Sequence, residues 1–446
     1  MTKIMFASLG CDKNLVDSEM MLGQLREKGY SFTDDETQAD VVVVNTCCFI
    51  KDAKEESIQT ILEMAQLRES GQLKALVVTG CLAQRYQEEI QKEIPEVDVI
   101  LGIQNIDAIV EKIEAALQGN CENLISDKNS PLVYGKKRIV TTGGHFAYLK
   151  IAEGCDKHCT YCIIPKIRGD FRSVPMEVLL KEAEELVNGG VQELILVAQE
   201  TTVYGTDLYG KKMLPKLLEE LCQIADLRWI RLLYCYPEEI TQELIDVMKR
   251  EKKVLPYLDM PIQHASDAIL KRMGRRCTEE ELRSLIAHLR EEIPEICLRT
   301  TLITGFPGET QEDHETLYRF VNEMEFDRLG VFTYSPEENT PAATMPDQID
   351  EQVKEERRGE LMELQQAIAF EKAEAMSGKE LDIIIEGYLP EDDVYVGRTY
   401  KDAPGVDGMF FLRADRELVT GSFVRARVTG SDEYDLIGEE INESAE

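Results

Sequence analysis

The chain has no hydrophobic run long enough to cross a membrane, although it is 446 residues long. No stretch approaches the roughly 20 apolar residues that a transmembrane helix needs. The first residues also lack the basic segment and cleavage site of a secretory signal peptide. These features predict a cytoplasmic protein without a membrane partner.

Basic residues are scarce relative to acidic ones, 50 against 84, which gives a formal charge of −34. Such a charge repels the phosphate backbone, so direct binding of nucleic acid is disfavoured. A basic macromolecular partner is favoured instead. The length is sufficient for about three domains, each with its own core.

Twelve cysteines are too few for a disulfide scaffold in a chain of this length. Three of them share one loop at C-x3-C-x2-C spacing: Cys155, Cys159 and Cys162. Three thiolates can bind three irons of a four-iron cluster and leave the fourth open to a cofactor's amine and carboxylate. Zinc is the alternative, but it normally takes a fourth protein ligand, and His158 lies between two cysteines where its ring is poorly placed. With the aromatic Tyr161 before the last cysteine, the spacing is typical of radical S-adenosylmethionine (SAM) enzymes.

Residues 1–120 alternate short apolar runs with helical patterns, which predicts a parallel sheet. One cysteine follows each of the first three predicted strands: Cys11, Cys47 and Cys81. Because the carboxyl ends of parallel strands meet at one edge, we expect these cysteines to converge and hold a second iron–sulfur cluster. The alternative is three buried packing residues. Cys48 adjoins Cys47 and remains open as the ligand at that position.

Residues 144–374 continue the alternation through six strand–helix units, which predicts a partial (β/α)6 barrel. Function in such a barrel lies at the carboxyl ends of the strands. A glycine-rich stretch after the fifth strand would let the backbone approach a nucleoside closely. An inward-pointing arginine on that strand could meet a cofactor carboxylate. The predicted cofactor contacts are Tyr161, Gln199, Arg299, Gly305 and Phe306.

Residues 377–446 are rich in strand-forming runs punctuated by glycine, which predicts a small antiparallel β-barrel. Such barrels often bind RNA, but residues 379–446 contain 17 acidic and 7 basic residues. That balance suits a basic protein better than phosphate.

Two three-cysteine sets followed by a small barrel resemble the methylthiotransferase family of radical SAM enzymes. The stretches SLGCDKNLVDSE (8–19), CIIP (162–165) with Arg168-Gly169, and LDMPIQHA (258–265) are similar to the branch that modifies protein twelve of the small ribosomal subunit. A branch that modifies a tRNA adenosine is the nearest alternative. The ribosomal branch usually has glycine after the second N-terminal cysteine, where this chain has Cys48.

The resemblance implies three domains: a flavodoxin-like domain (1–120), a radical SAM partial barrel (144–374) and a TRAM-like barrel (377–446). It implies a [4Fe-4S] cluster on Cys155, Cys159 and Cys162 that cleaves SAM, and an auxiliary [4Fe-4S] cluster on Cys11, Cys47 and Cys81. The expected reaction adds a methylthio group at the β-carbon of an aspartate through a 5′-deoxyadenosyl radical. No catalytic residue beyond the cluster ligands is expected.

An external electron donor such as flavodoxin is also implied, because nothing in the sequence looks like a flavin or nicotinamide site. A non-catalytic carrier with two clusters is the alternative from another class. It would explain six cysteines but not the barrel, and carriers generally use four cysteines for each cluster.

Overall fold

The computed structural model describes residues 2–441, and its first domain is a parallel sheet of runs rich in β-branched residues. The strands are β1 (Lys3–Ser8), β2 (Ser31–Phe32), β3 (Val41–Thr46), β4 (Ala75–Gly80) and β5 (Val99–Leu101). All residues of β3 and β4 are buried, as in a sheet with helices on both faces. The order β2-β1-β3-β4-β5, with every pair parallel, is the flavodoxin order, which confirms the expected fold.

Five α-helices connect and flank these strands. They are α1 (Asp12–Glu27), α2 (Lys51–Glu69), α3 (Cys81–Arg85), α4 (Gln87–Glu93) and α5 (Ile109–Leu117). Ten residues of α1 are buried, polar ones such as Asn14 and Asp17 among them. The helix is covered on two sides, since it also packs against the first long strand of the next domain. Residues 118–145 then cross to that domain, held in part by buried Arg138, which pairs with Glu19 at 2.6 Å and Glu182 at 2.5 Å.

The second domain is an open sheet of six parallel strands wrapped by helices. Its strands, with a two-residue ribbon formed by β7 and β8, are β6 (Phe146–Lys150), β7 (Ala152–Glu153), β8 (Arg172–Ser173), β9 (Glu193–Val197), β10 (Trp229–Leu232), β11 (Val254–Asp259), β12 (Cys297–Thr304) and β13 (Arg328–Thr333). The order β13-β12-β11-β10-β9-β6 leaves β6 and β13 unpaired with each other, which confirms a partial barrel.

Helices follow the strands of this domain on its outer side. They are α6 (Ile164–Ile167), α7 (Met176–Asn188), α8 (Thr206–Tyr209), α9 (Leu214–Leu221), α10 (Gln242–Arg250), α11 (Asp267–Met273), α12 (Glu279–Glu292), α13 (Gln311–Met324) and α14 (Glu351–Glu374). Capping boxes at Thr278 and Thr310 begin α12 and α13. The apolar faces of the longer helices share one core with the strands, whereas Ile167 of α6 packs in the core of the first domain.

The third domain is a closed five-stranded barrel. Its strands are β14 (Glu380–Leu389), β15 (Val394–Arg398), β16 (Phe410–Arg413), β17 (Phe423–Asp432) and β18 (Asp435–Glu440). They close in the order β14-β15-β16-β18-β17. The expected antiparallel pairing holds except between β16 and β18, which run parallel.

The small barrel docks at the amino ends of the central strands. Glu193, the first residue of β9, is fully buried between Arg231 (2.8 Å) and Arg398 of the small barrel (2.7 Å). Trp229, the first residue of β10, packs edge-on against Phe423. The carboxyl ends of the central strands are therefore left to face the first domain. No helix within residues 2–441 combines the length and apolar character needed to cross a membrane.

Candidate functional site

The central cysteines lie on a loop, directly after β7, that main-chain hydrogen bonds fix in place. Three such bonds anchor it: Cys155 N–H to Gly169 O (3.1 Å), Thr160 N–H to Met273 O (2.9 Å) and Cys162 N–H to Cys159 O (3.0 Å). Gly154 enters the loop with φ +81°, and a Cβ there would lie 2.0 Å from Asp170 O. Only glycine fits that position. The loop conformation is thus set by the backbone.

The three central thiols share one largely buried space. Burial, with a smaller contribution from Cys159, raises the pKa of the Cys155 thiol to about 12. Burial and the same neighbour also raise the pKa of Cys162. Thiols that crowd one another in this way become thiolates when a cationic group binds between them, as metal ligation requires.

A four-iron cluster fits these thiols better than a single ion does. Within residues 2–441 no group of three or more Cys, His, Asp or Glu side chains is placed to hold one metal ion. Zinc–sulfur bonds of about 2.3 Å would draw all its ligands around one point. In a cubane cluster each thiolate binds a different iron, so the sulfurs stand farther apart.

Unpartnered polar atoms surround this loop. Gln199 Oε1, Glu200 Oε2, and Arg275 Nε and Nη1 are buried and have no hydrogen-bond partner among the described residues. Burial raises the pKa of the Glu200 carboxyl to about 7. Buried polar groups are nearly always paired in proteins, so this set indicates a polar ligand. Their donors and acceptors suit the amine, carboxylate and ribose of SAM.

The N-terminal cysteines lie at three strand ends that approach very closely. Cys11 follows β1, Cys47 follows β3, and Cys81 begins α3 after β4. A Cβ on Gly10 (φ +89°) would lie 2.9 Å from Cys47 Sγ, and one on Gly80 (φ +94°) would lie 2.4 Å from a main-chain oxygen of the neighbouring strand end. Glycine before Cys11 and Cys81 therefore permits the convergence expected from the sequence.

Asn14 joins these strand ends through its side chain. Its Nδ2 donates to Leu9 O (3.0 Å) and to Thr46 O (2.9 Å), the carbonyls that precede two of the cysteine loops. Its Oδ1 lies 3.9 Å from Cys81 Sγ, at the third strand end. On the far side of Cys47, the Ser57 hydroxyl contacts both the N–H and the carbonyl of that residue at 2.9 Å.

Buried Arg168 links the two cysteine sets across the domain boundary. It leaves the central loop, and its Nε and Nη2 each lie 3.3 Å from Cys81 Sγ. Its Nη1 donates to Asp17 and to Glu153, each at 3.0 Å. Glu153 stands two residues before Cys155 and also accepts from Gln199 at 2.7 Å. The sequence reasoning assigned no role to Arg168 or Asn14, although both lie inside the motifs that carried the resemblance.

Aromatic residues form one wall beside the central loop. The ring of Tyr161 meets Phe306 edge-on at 6.4 Å, and Phe306 meets Tyr334 at 5.2 Å. Phe306 is fully buried, and the Tyr334 hydroxyl has no partner within residues 2–441. Tyr161, Gln199 and Phe306 thus lie at the carboxyl ends of the strands, as the sequence predicts, and their contact with a cofactor stays a prediction.

Two other predicted cofactor contacts have different neighbours. Arg299 is bound by two carboxylates, Asp259 at 3.0 Å and Asp407 of the small barrel at 3.4 Å. A Cβ on Gly305 would lie 2.2 Å from Lys354 Cγ, so this glycine admits the side chain of α14. The geometry therefore gives both residues a role in packing, and their role toward a cofactor stays untested.

Three family models match the chain, one for each domain. The model described as uncharacterized protein family UPF0004 matches residues 3–102, the Radical SAM superfamily matches residues 149–321, and the TRAM domain matches residues 378–441. Among solved structures, the radical SAM methyltransferase TsrM from Kitasatospora setae covers 77% of this chain and is itself covered to 77%, with a TM-score of 0.54 and 15% identity. At that identity the likeness concerns the fold alone. Fold and domain order together define a radical SAM enzyme.

Curated relatives specify the class further. A ribosomal protein uS12 methylthiotransferase RimO from Lachnoclostridium phytofermentans is 64% identical over 98% of this chain and 99% of its own length. The RimO proteins of Geobacter sulfurreducens and Clostridioides difficile are 51% and 49% identical, over 99% and 100% of this chain and the same shares of their own. This chain belongs to the RimO family of radical SAM methylthiotransferases. The alternative of a non-catalytic electron carrier is therefore wrong.

Proposed function

We propose that the enzyme transfers a methylthio group to the β-carbon of an aspartate in ribosomal protein uS12, using two [4Fe-4S] clusters and SAM. Cys155, Cys159 and Cys162 would hold one cluster, and Cys11, Cys47 and Cys81 the other. The relatives that span the whole chain are named for uS12. Because its substrate is made and assembled on ribosomes, we place the reaction in the cytoplasm.

The observation that supports two cooperating clusters is the contact made by Arg168. One guanidinium touches Cys81 Sγ of the first domain and Glu153, at the entrance to the central cysteine loop. A single side chain therefore spans the space between the two cysteine sets. Two clusters bound there would face each other across the domain boundary. Such an arrangement is needed if a group carried by one cluster is to be transferred to a substrate that the other cluster activates.

The residues of the chain hold and orient the bound groups and exclude water. When bound, the central cluster and SAM would supply the radical chemistry, and the auxiliary cluster would carry the sulfur that is transferred. Unpartnered Gln199 Oε1 and Glu200 Oε2 can accept hydrogen bonds from a ligand amine or hydroxyl. The Tyr161, Phe306 and Tyr334 rings pack together beside the central loop and would exclude water from it.

The substrate assignment also agrees with charge. Ribosomal proteins are basic because they bind ribosomal RNA, and the chain carries a formal charge of −34. Complementary charge speeds encounter, and its effect weakens as salt rises. The exposed acids Glu391, Asp392 and Asp393 lie on a turn of the small barrel, which docks away from the cysteine sets. Any contribution they make would be long-range steering.

The decisive experiment offers the reconstituted enzyme all candidate substrates together. After anaerobic reconstitution with iron and sulfide, it is incubated with SAM, a reductant, free uS12, intact ribosomes and bulk tRNA. Mass spectrometry should find one methylthio group on a uS12 aspartate and none on tRNA. A methylthioadenosine with unmodified uS12 would establish the tRNA alternative and refute the proposal.

Cysteine variants test the two ligand sets separately. Replacing Cys155, Cys159 and Cys162 with Ala should leave about half the iron and abolish SAM cleavage. Replacing Cys11, Cys47 and Cys81 should also leave about half the iron, retain SAM cleavage and abolish methylthiolation. SAM cleavage without the central cysteines would contradict the assignment of the radical site.

A further inference from the structure

The last turn of α11 and the residues that follow it, 271–276, form the outer wall of the central cysteine loop. Thr160 donates its N–H to Met273 O at 2.9 Å and its hydroxyl to Arg272 O at 2.8 Å. A Cβ on Gly274 would lie 3.7 Å from the Cα of Cys159. Gly274 is exposed whereas Cys159 is buried. One layer of backbone therefore separates the central cysteines from solvent at this point.

This wall carries three cations that are not neutralised: Lys271, Arg272 and Arg276. Lys271 and Arg276 are exposed, and the Arg272 side chain lies half-buried against Gly308. Within residues 2–441 none of the three forms an ion pair or a side-chain hydrogen bond. Of the acids close in sequence, Glu279 pairs with Arg283 and Asp267 accepts from the Glu279 N–H.

The location of these cations limits what they can do. Elsewhere on this strongly acidic chain, exposed lysines commonly have acidic partners, such as Lys216 with Glu220 at 2.6 Å. Unpaired positive charge beside the thinnest cover of the central cysteines gives an anionic partner a preferred place to bind. Complementary charge accelerates such encounters by orders of magnitude at low salt.

We propose that the cationic wall, defined as Lys271, Arg272 and Arg276, is the docking surface for an acidic protein that donates single electrons, of the flavodoxin or ferredoxin type. This inference rests on the proposed function, in which the central site cleaves SAM reductively. The donor loses one electron. That electron and one from the breaking sulfur–carbon bond form the lone pair on the methionine sulfur, while the other bond electron stays on the 5′ carbon.

An RNA partner is the competing occupant of a cationic surface. Polyanion binding usually rests on many phosphate contacts spread over a wide surface. The cationic wall comprises three residues within six positions of the chain, on the segment whose Gly274 packs against Cys159. Its size and place fit delivery of an electron to the central site better than the tracking of a phosphate backbone.

The test compares a protein donor with a small chemical reductant. The double variant Lys271→Glu/Arg276→Glu leaves every described contact of the cysteine loop intact. Lys252→Glu/Lys379→Glu is the matched control, because both lysines are exposed. Lys252 precedes β11 at the amino ends of the central strands, and Lys379 precedes β14 of the small barrel, which docks at those ends. SAM cleavage is followed with reduced flavodoxin and, separately, with dithionite, at low and high salt.

With flavodoxin at low salt, the wall variant should cleave SAM about tenfold more slowly than the parent or the control. High salt should reduce this difference in rate. With dithionite as the reductant, all three proteins should cleave SAM at the same rate. An unchanged rate with flavodoxin, or an equal loss with dithionite, would overturn the proposal. So would normal reduction with loss of modification only on intact ribosomes, since that result indicates RNA binding. If the parent protein did not cleave SAM with dithionite either, the proposed function itself would be refuted.

Discussion

The two cysteine sets differ in how the chain builds them. The central set lies within eight consecutive residues, and main-chain hydrogen bonds such as Cys155 N–H to Gly169 O fix its loop. The N-terminal set needs three strand ends that are far apart in sequence, joined by the side chain of Asn14. One set is therefore a local feature of the backbone, and the other exists only when a whole sheet has formed.

The two cysteine sets also differ in the charged side chains that lie near them. The N-terminal set has a buried cation in direct contact, Arg168, whose other partners are Asp17, Glu153 and Asn14 Oδ1. Near the central set, the buried guanidinium of Arg275 lies over the Tyr236 ring at 4.2 Å, with Nη2 3.6 Å from Glu238 Oε2. Among the described residues its Nε and Nη1 have no hydrogen-bond partner. The first arginine thus completes a closed network between domains, whereas the second keeps two nitrogens available to a bound group.

The largest expected effect comes from removing the guanidinium of that closed network. Arg168→Met leaves two buried carboxylates with one fewer cation, and breaking a buried pair typically costs about 3–5 kcal/mol. We expect earlier unfolding in urea and loss of iron from the N-terminal set, with the central cluster still visible by electron paramagnetic resonance. Arg168→Lys keeps the positive charge but loses the planar guanidinium with its several N–H donors. Its stability in urea and its iron content should lie between those of the parent and of Arg168→Met.

Arg172→Met is the matched control for this variant. Arg172 lies four residues further along, and its contacts are with main-chain carbonyls, those of Asp170, Ser130 and Arg168. Its loss should leave the iron content unchanged. If Arg168→Met kept full iron content and parental stability, the two sets would not depend on this bridge.

The sequence predicts the local parts of this arrangement and misses the distant ones. Long buried runs such as β3 and β4 are recognisable because apolar residues, most of them valine, follow one another. The two-residue strand β2 carries no periodicity of its own, and β18, with three acids in six residues, lacks an apolar run. β2 depends on pairing with β1 across the whole of α1, and β18 depends on its hairpin with β17 and on pairing with β16.

The same limit applies to the candidate site. Spacing identifies the central cysteines directly, and strand-end position suggests the N-terminal ones. Neither spacing nor periodicity could show that Arg168 would reach Cys81, because 87 residues separate them. Strand position likewise could not show that Arg299 contacts Asp259 and Asp407 of the small barrel, and its predicted contact with a cofactor stays a prediction.

A smaller effect is expected from cutting the link between strand ends. Asn14→Ala leaves the buried carbonyls of Leu9 and Thr46 without a donor, which costs about 2–4 kcal/mol together. We expect partial loss of iron from the N-terminal set and an unchanged central cluster. Gln24→Ala, on the same helix, also removes two bonds to carbonyls, those of Met20 and Ile106 at 3.2 Å, and should keep all iron. Equal iron loss in both variants would indicate general weakening of the helix.

The smallest effect separates two adjacent cysteines. The Cys47 sulfur approaches Gly10 and the Cys11 loop, whereas Cys48 is fully buried in an apolar cluster with residues such as Ile61. Burial raises the pKa of the Cys48 thiol to about 12, although Arg85 lies beside this residue with Nη1 3.5 Å from its carbonyl oxygen. Cys48→Ala should therefore cost about 1 kcal/mol of packing and keep both clusters. Cys47→Ala, the same change one residue earlier, should lose the auxiliary cluster and methylthiolation while SAM cleavage continues. Iron content and product formation are measured for both variants. Loss of the auxiliary cluster and of product in Cys48→Ala, but not in Cys47→Ala, would identify Cys48 as the ligand.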